Sequence, residues 1–417
     1  MAASGPTAIY EQLTILLTLG VVSHLFSKRF HQSTLIGEIF IGILLAPSLL
    51  GQFGIFVFDS TFVETFAALG AIFLLFLIGL ESDFRALYTR RNFLVALGGV
   101  LFPLAFGFLT AWFLTPPSAV PASSTQFLMA IFVGATLTAT STAIAASVLL
   151  ELGLMKEEIG RTIMGAAVVD DILGLLILSV VVGMAHGSVD AIGIATVMAK
   201  AIGFIVVGIL VGLYFFSPVV VRVQVVGLKL GVKHGGFMIA LAVALFYALI
   251  AETIGLSAII GAFLAGTLFA PAPLKEEFTD GVRYLEAVFT PIFFISLGLN
   301  VDIFSVLATP EIFLFTIALV VVAMVTKVAG CAVAAWAQKM TALESLAVGW
   351  GMTPRGEVGL IVAVTALTAG IIGDALFSVI VFVIIVVSVA PAPLFKQALH
   401  AVEQERRAKQ PPAPSGD

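Results

Sequence analysis

The chain has 417 residues, of which 60% are hydrophobic and only 11% charged, and its mean hydropathy is +1.16. A soluble enzyme carries charge on about a quarter of its residues, so this composition excludes that class and indicates a polytopic membrane protein. The formal net charge of −5 decides little, and the single cysteine, Cys331, excludes an intrachain disulfide and a cysteine-rich metal site.

The start, MAASGPTAIYEQL, has no basic region ahead of its apolar run and is not read as a cleaved signal peptide. A helix crosses a bilayer in about 20 apolar residues. On that ruler thirteen segments follow in chain order, at residues 8–26, 33–50, 62–80, 92–114, 127–150, 161–185, 191–216, 235–252, 256–271, 284–300, 311–335, 343–369 and 374–395. Residues 396–417 are polar and proline-containing, and they are predicted to be a disordered cytoplasmic tail. Zinc-type, Walker and dinucleotide motifs do not occur, nor does a basic patch of the kind that binds nucleic acid. The chain is therefore not read as an enzyme, and no cofactor or nucleic-acid partner is predicted.

Basic residues test the segment map. Lys28 and Arg29 follow segment one, Arg85, Arg90 and Arg91 follow three, and Lys156 and Arg161 separate five from six. Arg222, Lys229 and Lys233 follow seven, Lys275 and Arg283 follow nine, Lys339 follows eleven, and Lys396, Arg406, Arg407 and Lys409 close the chain. These 17 residues fall at alternate connections while the opposite connections hold none, which places the N-terminus outside and the C-terminus in the cytoplasm. Lys200, read near an interface, Lys327 and Arg355 are left inside segments.

An internal repeat runs through the same map. Residues 37–47, GEIFIGILLAP, agree with residues 261–271, GAFLAGTLFAP, at five of eleven positions, and GLESD at 79–83 answers GLNVD at 298–302. The copies lie in segments two and nine, which cross in opposite senses. Segments two to six then repeat as nine to thirteen with inverted topology, the pattern of a secondary transporter whose site lies where broken helices meet near the midplane.

Segment six carries Asp170 and Asp171 in AAVVDDILGLL, about ten residues from either end. Carboxylates at that depth are rare without a task. Successive helical positions differ by about 100°, so one acid faces an aqueous cavity while the other turns toward a neighbouring helix. Lys327 sits equally deep in segment eleven, and a lone lysine there needs an aspartate partner, in a proton-carrying or a purely structural pair. Segment twelve gathers Gly351, Pro354, Arg355, Gly356, Glu357 and Gly359, which disfavour a continuous helix; Arg355 and Glu357 are read as holding the break rather than touching an ion. Its inverted partner, segment five, holds Thr136, Thr138, Thr140, Ser141 and Thr142. Such hydroxyls either bond the preceding turn's carbonyls or offer hard oxygen ligands in an unwound stretch. Oxygen ligands without a thiolate or imidazole cluster point to Na⁺, Li⁺, K⁺ or protons. Glu11, Glu38, Glu64 and Glu252 are weaker signals, Glu38 and Glu252 being read near the interface.

LLAPSLLG (44–51), TATSTAIAASVLLELG (138–153), VVDD (168–171), Lys327 and PRGEVGLI (354–361) together resemble the bacterial sodium/proton antiporters of the monovalent cation:proton antiporter-2 family, over roughly residues 10–395. The resemblance implies an all-α fold of 13 transmembrane helices, five-helix inverted repeats and two crossed discontinuous helices, matching Thr140–Ser141 and the region Gly351–Glu357. It implies Asp171 as the principal Na⁺ and proton site, an Asp170–Lys327 salt bridge, and a homodimer with a core that moves like an elevator. On that pattern a dimerisation domain comprises residues 1–91 and 235–310, the ion-transport core 92–190 and 311–395, and a linker helix 191–234.

The function read from these residues is exchange of cytoplasmic Na⁺ or Li⁺ for external H⁺ across a bacterial plasma membrane. Na⁺ displaces a proton from Asp171, and release of a second proton from Lys327 makes the exchange electrogenic. A K⁺/H⁺ antiporter, a sodium-coupled organic anion symporter, and a gated cation channel or membrane sensor are the competing readings.

Overall fold

The computed structural model describes residues 6–409 apart from 30–33, 54–57, 59, 82–88, 117–119, 122–123, 186–190, 231–233, 255, 257, 273–274 and 308. Arg85 and Lys233, the Ser82–Asp83 end of the second repeat match, and residues 410–417 lie outside the described residues. Secondary structure among the described residues is entirely helical. In hydrocarbon a helix satisfies its own backbone polar groups, which fits the long Leu, Ile, Val and Ala runs.

In chain order the α-helices are α1 (Pro6–Arg29), α2 (Thr34–Leu45), α3 (Ser60–Glu81), α4 (Arg90–Leu114), α5 (Gln126–Thr136), α6 (Thr142–Glu151) and α7 (Glu158–Ala185). Then follow α8 (Ala191–Val211), α9 (Ser217–Lys229), α10 (Gly235–Thr253), α11 (Ala258–Phe269), α12 (Lys275–Leu299), α13 (Ile303–Leu307) and α14 (Pro310–Ala337). The last are α15 (Ala342–Gly351), α16 (Glu357–Thr368), α17 (Asp374–Val389) and α18 (Pro391–Lys409). Several starts carry recognisable caps. The Thr125 and Thr309 hydroxyls accept from the amides of Leu128 and Ile312, and Thr341 with Glu344 forms a reciprocal capping box.

Among the described residues nine helices are long and apolar enough to cross a membrane, and four apolar helices are shorter: Thr34–Leu45, Gln126–Thr136, Ala258–Phe269 and Val358–Thr368. The chain is an all-α polytopic membrane protein. Segment five is split into α5 and α6 and segment twelve into α15 and α16.

Three sequence expectations need correction. The tail is not disordered up to residue 409: it forms most of α18, with Phe395, Leu399 and Val402 buried against Ile163, Val348 and Met352. Their spacing of four and three residues makes one apolar helical face that the polar composition conceals. Segment seven runs past residue 216, through a π-helical turn at Gly212–Phe216 into α9. Ser217 N donates to Gly212 O across that turn, just ahead of Pro218, which has no backbone donor. Segment ten begins earlier, at Lys275, because the first turns of α12 are amphipathic, with Phe278 and Val282 buried while Tyr284 is 79% exposed.

Glycines set the closest helix crossings. A Cβ on Gly42 of α2 would lie 2.2 Å from Ile295 O and 2.7 Å from Gly298 Cα, and one on Gly266 of α11 would lie 2.2 Å from Phe76 O and 2.9 Å from Gly79 Cα. Gly98 of α4 and Gly330 of α14 face each other in the same way, each Cβ falling 2.2–2.3 Å from the other's carbonyl oxygen. So α2 lies on α12 as α11 lies on α3, and α4 lies on α14. Small residues at such crossings let backbones touch where lipid supplies no hydrophobic drive.

Candidate functional site

The breaks in segments five and twelve meet. Ser141 N donates to Pro354 O at 2.7 Å, and Thr140 Oγ1 donates to Met352 O at 3.0 Å. A Cβ on Gly356 would sit 3.0 Å from Ser141 Cβ, so this glycine allows the two unwound strands to lie in contact. Irregular backbone at such depth is tolerated only where protein or a water-filled cavity meets its polar groups. Here each break supplies part of the other's hydrogen bonding.

Arg355 is fully buried and serves the opposite break. Its Nη1 donates to Ala139 O at 2.7 Å and to Thr138 O at 3.2 Å, and its Nη2 donates to Ala323 O of α14 at 2.9 Å. A planar guanidinium with five donors suits this task better than a lysine. Ser388 of α17 donates to Arg355 O at 2.8 Å and holds the same residue from behind.

Lys327 of α14 donates to Asp170 Oδ1 at 2.7 Å and also to Thr138 O, and both members of the ion pair are 0% exposed. Space for the lysine comes from α4, because a Cβ on Gly99 would lie 2.5 Å from Cys331 Sγ and 3.3 Å from Lys327 Nζ. Asp171, the next residue of α7, is 6% exposed. One turn further on, Gly174 faces the crossing, where an added Cβ would have Val358 Cγ1 and Thr138 Oγ1 at 3.8 and 3.9 Å. Two carboxylates and two basic side chains are thus buried around the crossing.

The structure therefore brings together Asp170, Lys327, Thr140, Ser141, Pro354, Arg355 and Gly356, with Asp171 the next residue along α7. Gly351 is set apart, since its missing Cβ leaves room for Ile163 of α7 and the Phe395 ring of α18. Glu357 opens α16, and its side chain, like that of Thr142, lies outside the described ones. The Thr136 and Thr138 hydroxyls bond back to Val133 O and Ala135 O of the preceding turn. Thr140 is different: its hydroxyl proton goes across to Met352, leaving oxygen lone pairs for a hard cation. Sequence reasoning misses the Thr138 carbonyl, Ser388 and Gly99. A backbone oxygen has no residue identity, and a glycine among many gives no local signal.

Glu38 proves buried, 3% exposed, with an oxygen 2.8 Å from His24 Nε2. Glu64 and Glu252 instead line a cavity of about 1100 Å³ between α3, α10, α11 and α12 on one side and α16 with Val182 of α7 on the other.

The model of the family described as "Sodium/hydrogen exchanger, transmembrane" matches residues 13–397. The chain is 31% identical to the Na⁺/H⁺-K⁺ antiporter GerN of Bacillus cereus, over 96% of this chain and 98% of that protein. It is 34% identical to a Na⁺/H⁺ antiporter of Enterococcus hirae, over 89% and 92% of the two chains. The solved structure of the sodium proton antiporter MjNhaP1 of Methanocaldococcus jannaschii superposes with a TM-score of 0.70 at 18% identity, covering 96% of this chain and 98% of that one, and shares its fold. With a matched span that encloses both breaks and every residue of the buried charge group, this chain belongs to the sodium/hydrogen exchanger family.

Proposed function

We propose that this chain is a secondary active antiporter that exchanges cytoplasmic Na⁺ or Li⁺ for external H⁺, with Asp171 as the shared site. One observation carries the assignment: Asp171 is buried in α7 beside the Asp170–Lys327 ion pair, on a helix packed against both interrupted segments. A bare carboxylate at that depth is costly. The site therefore crosses only when a proton or a cation neutralises it, and that alternation couples the two fluxes. Asp171 and the Thr140 oxygen, with Ser141 beside them, form the cation's oxygen cage. Asp170 and Lys327 form the proton-linked pair, and Arg355, Pro354 and Gly356 hold the crossing. The curated relatives named above, described as Na⁺/H⁺ antiporters, support the same exchange.

The finer architecture is also proposed. Thirteen crossings, with the N-terminus outside and the C-terminus in the cytoplasm of a bacterium, follow from the charge pattern. The mirrored glycine contacts support an inverted repeat, because Gly42–Gly298 and Gly266–Gly79 join corresponding repeat positions. The packing of α1 on α2 and of α10 on α11 extends that correspondence by one helix in each half. The double aspartate with Lys327 favours the monovalent cation:proton antiporter-2 branch, a homodimer, and an elevator motion of α4–α7 with α14–α17 against α1–α3 with α10–α12. Two protons against one Na⁺ moves one net charge, worth about 2.3 kcal/mol per 100 mV.

The test is reconstitution in liposomes with internal pH followed while Na⁺, Li⁺ and K⁺ are added separately. Proton movement driven by Na⁺ and Li⁺ supports the assignment; absence of any cation-driven proton flux rejects it. Because the name of GerN includes K⁺, a second reading with K⁺ as substrate is decided by the K⁺ arm.

A further inference from the structure

The cavity of about 1100 Å³ has its walls on different parts of the chain: Ala68 and Ile72 of α3 line it, and so do Thr365 and Thr368 of α16. On the topology drawn from the basic residues, these helices meet it by their outer ends, α3 near its start and α16 near its finish. From Ser60 to Ile72 the cavity follows α3 for about 18 Å at 1.5 Å per residue, more than half of that 22-residue helix. Along α16 it reaches inward to Val364, about two turns from the break at Gly356. The lining is too polar for lipid tails, with Glu64, Glu252 and Asn300 among apolar residues. The Thr365 and Thr368 hydroxyls give their protons to carbonyls of their own helix and keep oxygen lone pairs as acceptors.

At the rim, two successive residues are tied to opposite walls. Val301 O accepts from Ser48 Oγ, just past α2, at 3.3 Å, and Asp302 N donates to Ser378 Oγ of α17 at 2.8 Å. The short helix α13 that follows packs on α14 and α17. The chain therefore passes from one body to the other between Val301 and Asp302, and hinges are commonly a few residues at the end of an element.

We propose that this cavity is the external vestibule of the exchanger, through which water, Na⁺ or Li⁺ and protons pass along Thr365 and Thr368 to the crossing, and that the structure is the outward-open form. The inference rests on the antiport reading above and on its topology. Closure moves α16 against α3, with the chain giving way at Val301–Asp302.

The test is thiol labelling in sealed membrane vesicles of known orientation, with Thr365→Cys on one wall, Ala68→Cys on the other and exposed Lys156→Cys as the cytoplasmic marker. The reagent is a membrane-impermeant cationic methanethiosulfonate, and wild type is the blank because Cys331 is buried. Both wall cysteines are expected to react from the outer face and the marker only from the inner one, and labelling is expected to abolish the cation-driven proton flux that each unlabelled variant supports. Should one wall variant not fold, the other decides. Three results each overturn the proposal: no reaction from outside, reaction from the same side as Lys156→Cys, or full labelling with flux intact. The antiport reading fails on a different readout, an unlabelled wild type in which Na⁺, Li⁺ and K⁺ drive no proton flux.

Discussion

Between α5 and α6 the chain passes through Leu137–Ser141, with three hydroxyl residues and no proline; between α15 and α16 it passes through Met352–Gly356, with Pro354, Arg355 and a glycine. The first break unwinds while keeping its oxygens available. Thr138 O and Ala139 O receive Arg355, and Thr138 O also receives Lys327. These carbonyls lie just past the negative end of the α5 dipole, where cations are favoured. The second break is stopped by a residue without an amide proton and gives back two carbonyls, Met352 O and Pro354 O, to Thr140 and Ser141. The two broken segments thus divide the labour: one presents oxygen, the other fixed positive charge. The two buried basic side chains, Lys327 and Arg355, are offset by the two buried carboxylates Asp170 and Asp171.

The largest test removes Asp171, the proposed cation and proton site. Asp171→Asn is isosteric, so the protein should fold and melt near the wild type, while cation-driven proton flux in liposomes falls to background. Flux that persists with its coupling intact places the ion elsewhere. A second experiment sets the polar crossing against the apolar glycine crossings. In Gly42→Ala and Gly266→Ala the new methyl must displace a facing carbonyl oxygen 2.2 Å away, and overpacking of this kind costs about 1–3 kcal/mol. Thermal melting in detergent should show similar losses for both if the two crossings are equivalent, with the ion dependence of transport unchanged. Unequal losses break the symmetry argument.

How much of this is legible without coordinates follows from where the information sits. Pro354 and Gly356 announce a break because one removes a donor and the other a side chain, and both effects are local. Lys327 announces an acidic partner because a lone ammonium at mid-membrane is untenable, although choosing between Asp170 and Asp171 takes geometry. The Thr138 carbonyl does not show, since Lys327 and Arg355 reach it across 189 and 217 positions and its side chain is irrelevant. Gly99 does not show either: its importance is the lysine stem it admits from another helix. The helical tail is hidden for a different reason, because Phe395, Leu399 and Val402 form a helix only once α15 and α7 give them something to cover.

A smaller effect is expected at the oxygen-bearing break. Thr140→Val keeps the shape but loses the bond to Met352 O and a candidate ligand. Leaving that carbonyl unpaired costs about 1–3 kcal/mol of stability. If Thr140 also touches the ion, half-saturating Na⁺ should rise about tenfold, equivalent to about 1.4 kcal/mol, and Thr140→Ser should restore it. A lower melting point with unchanged Na⁺ dependence makes Thr140 a brace only, and shifts the coordination to Asp171 with backbone oxygens.

The smallest effect is expected behind the charge-bearing break. Ser388 Oγ has two acceptors, Arg355 O at 2.8 Å and Ile384 O at 2.7 Å, and one hydroxyl proton shared between them. The Ile384 bond is the ordinary back-bond of a membrane helix, so only the Arg355 bond ties α17 to the crossing. Ser388→Ala removes about 0.5–1.5 kcal/mol of net bonding and no charge. Melting should fall slightly, with stoichiometry and ion affinity unchanged, because the guanidinium keeps its three carbonyl contacts from the other side. A change in ion affinity here would mean that the position of the Arg355 backbone is transmitted across the break to Thr140, and would make the packing of α17 part of ion binding.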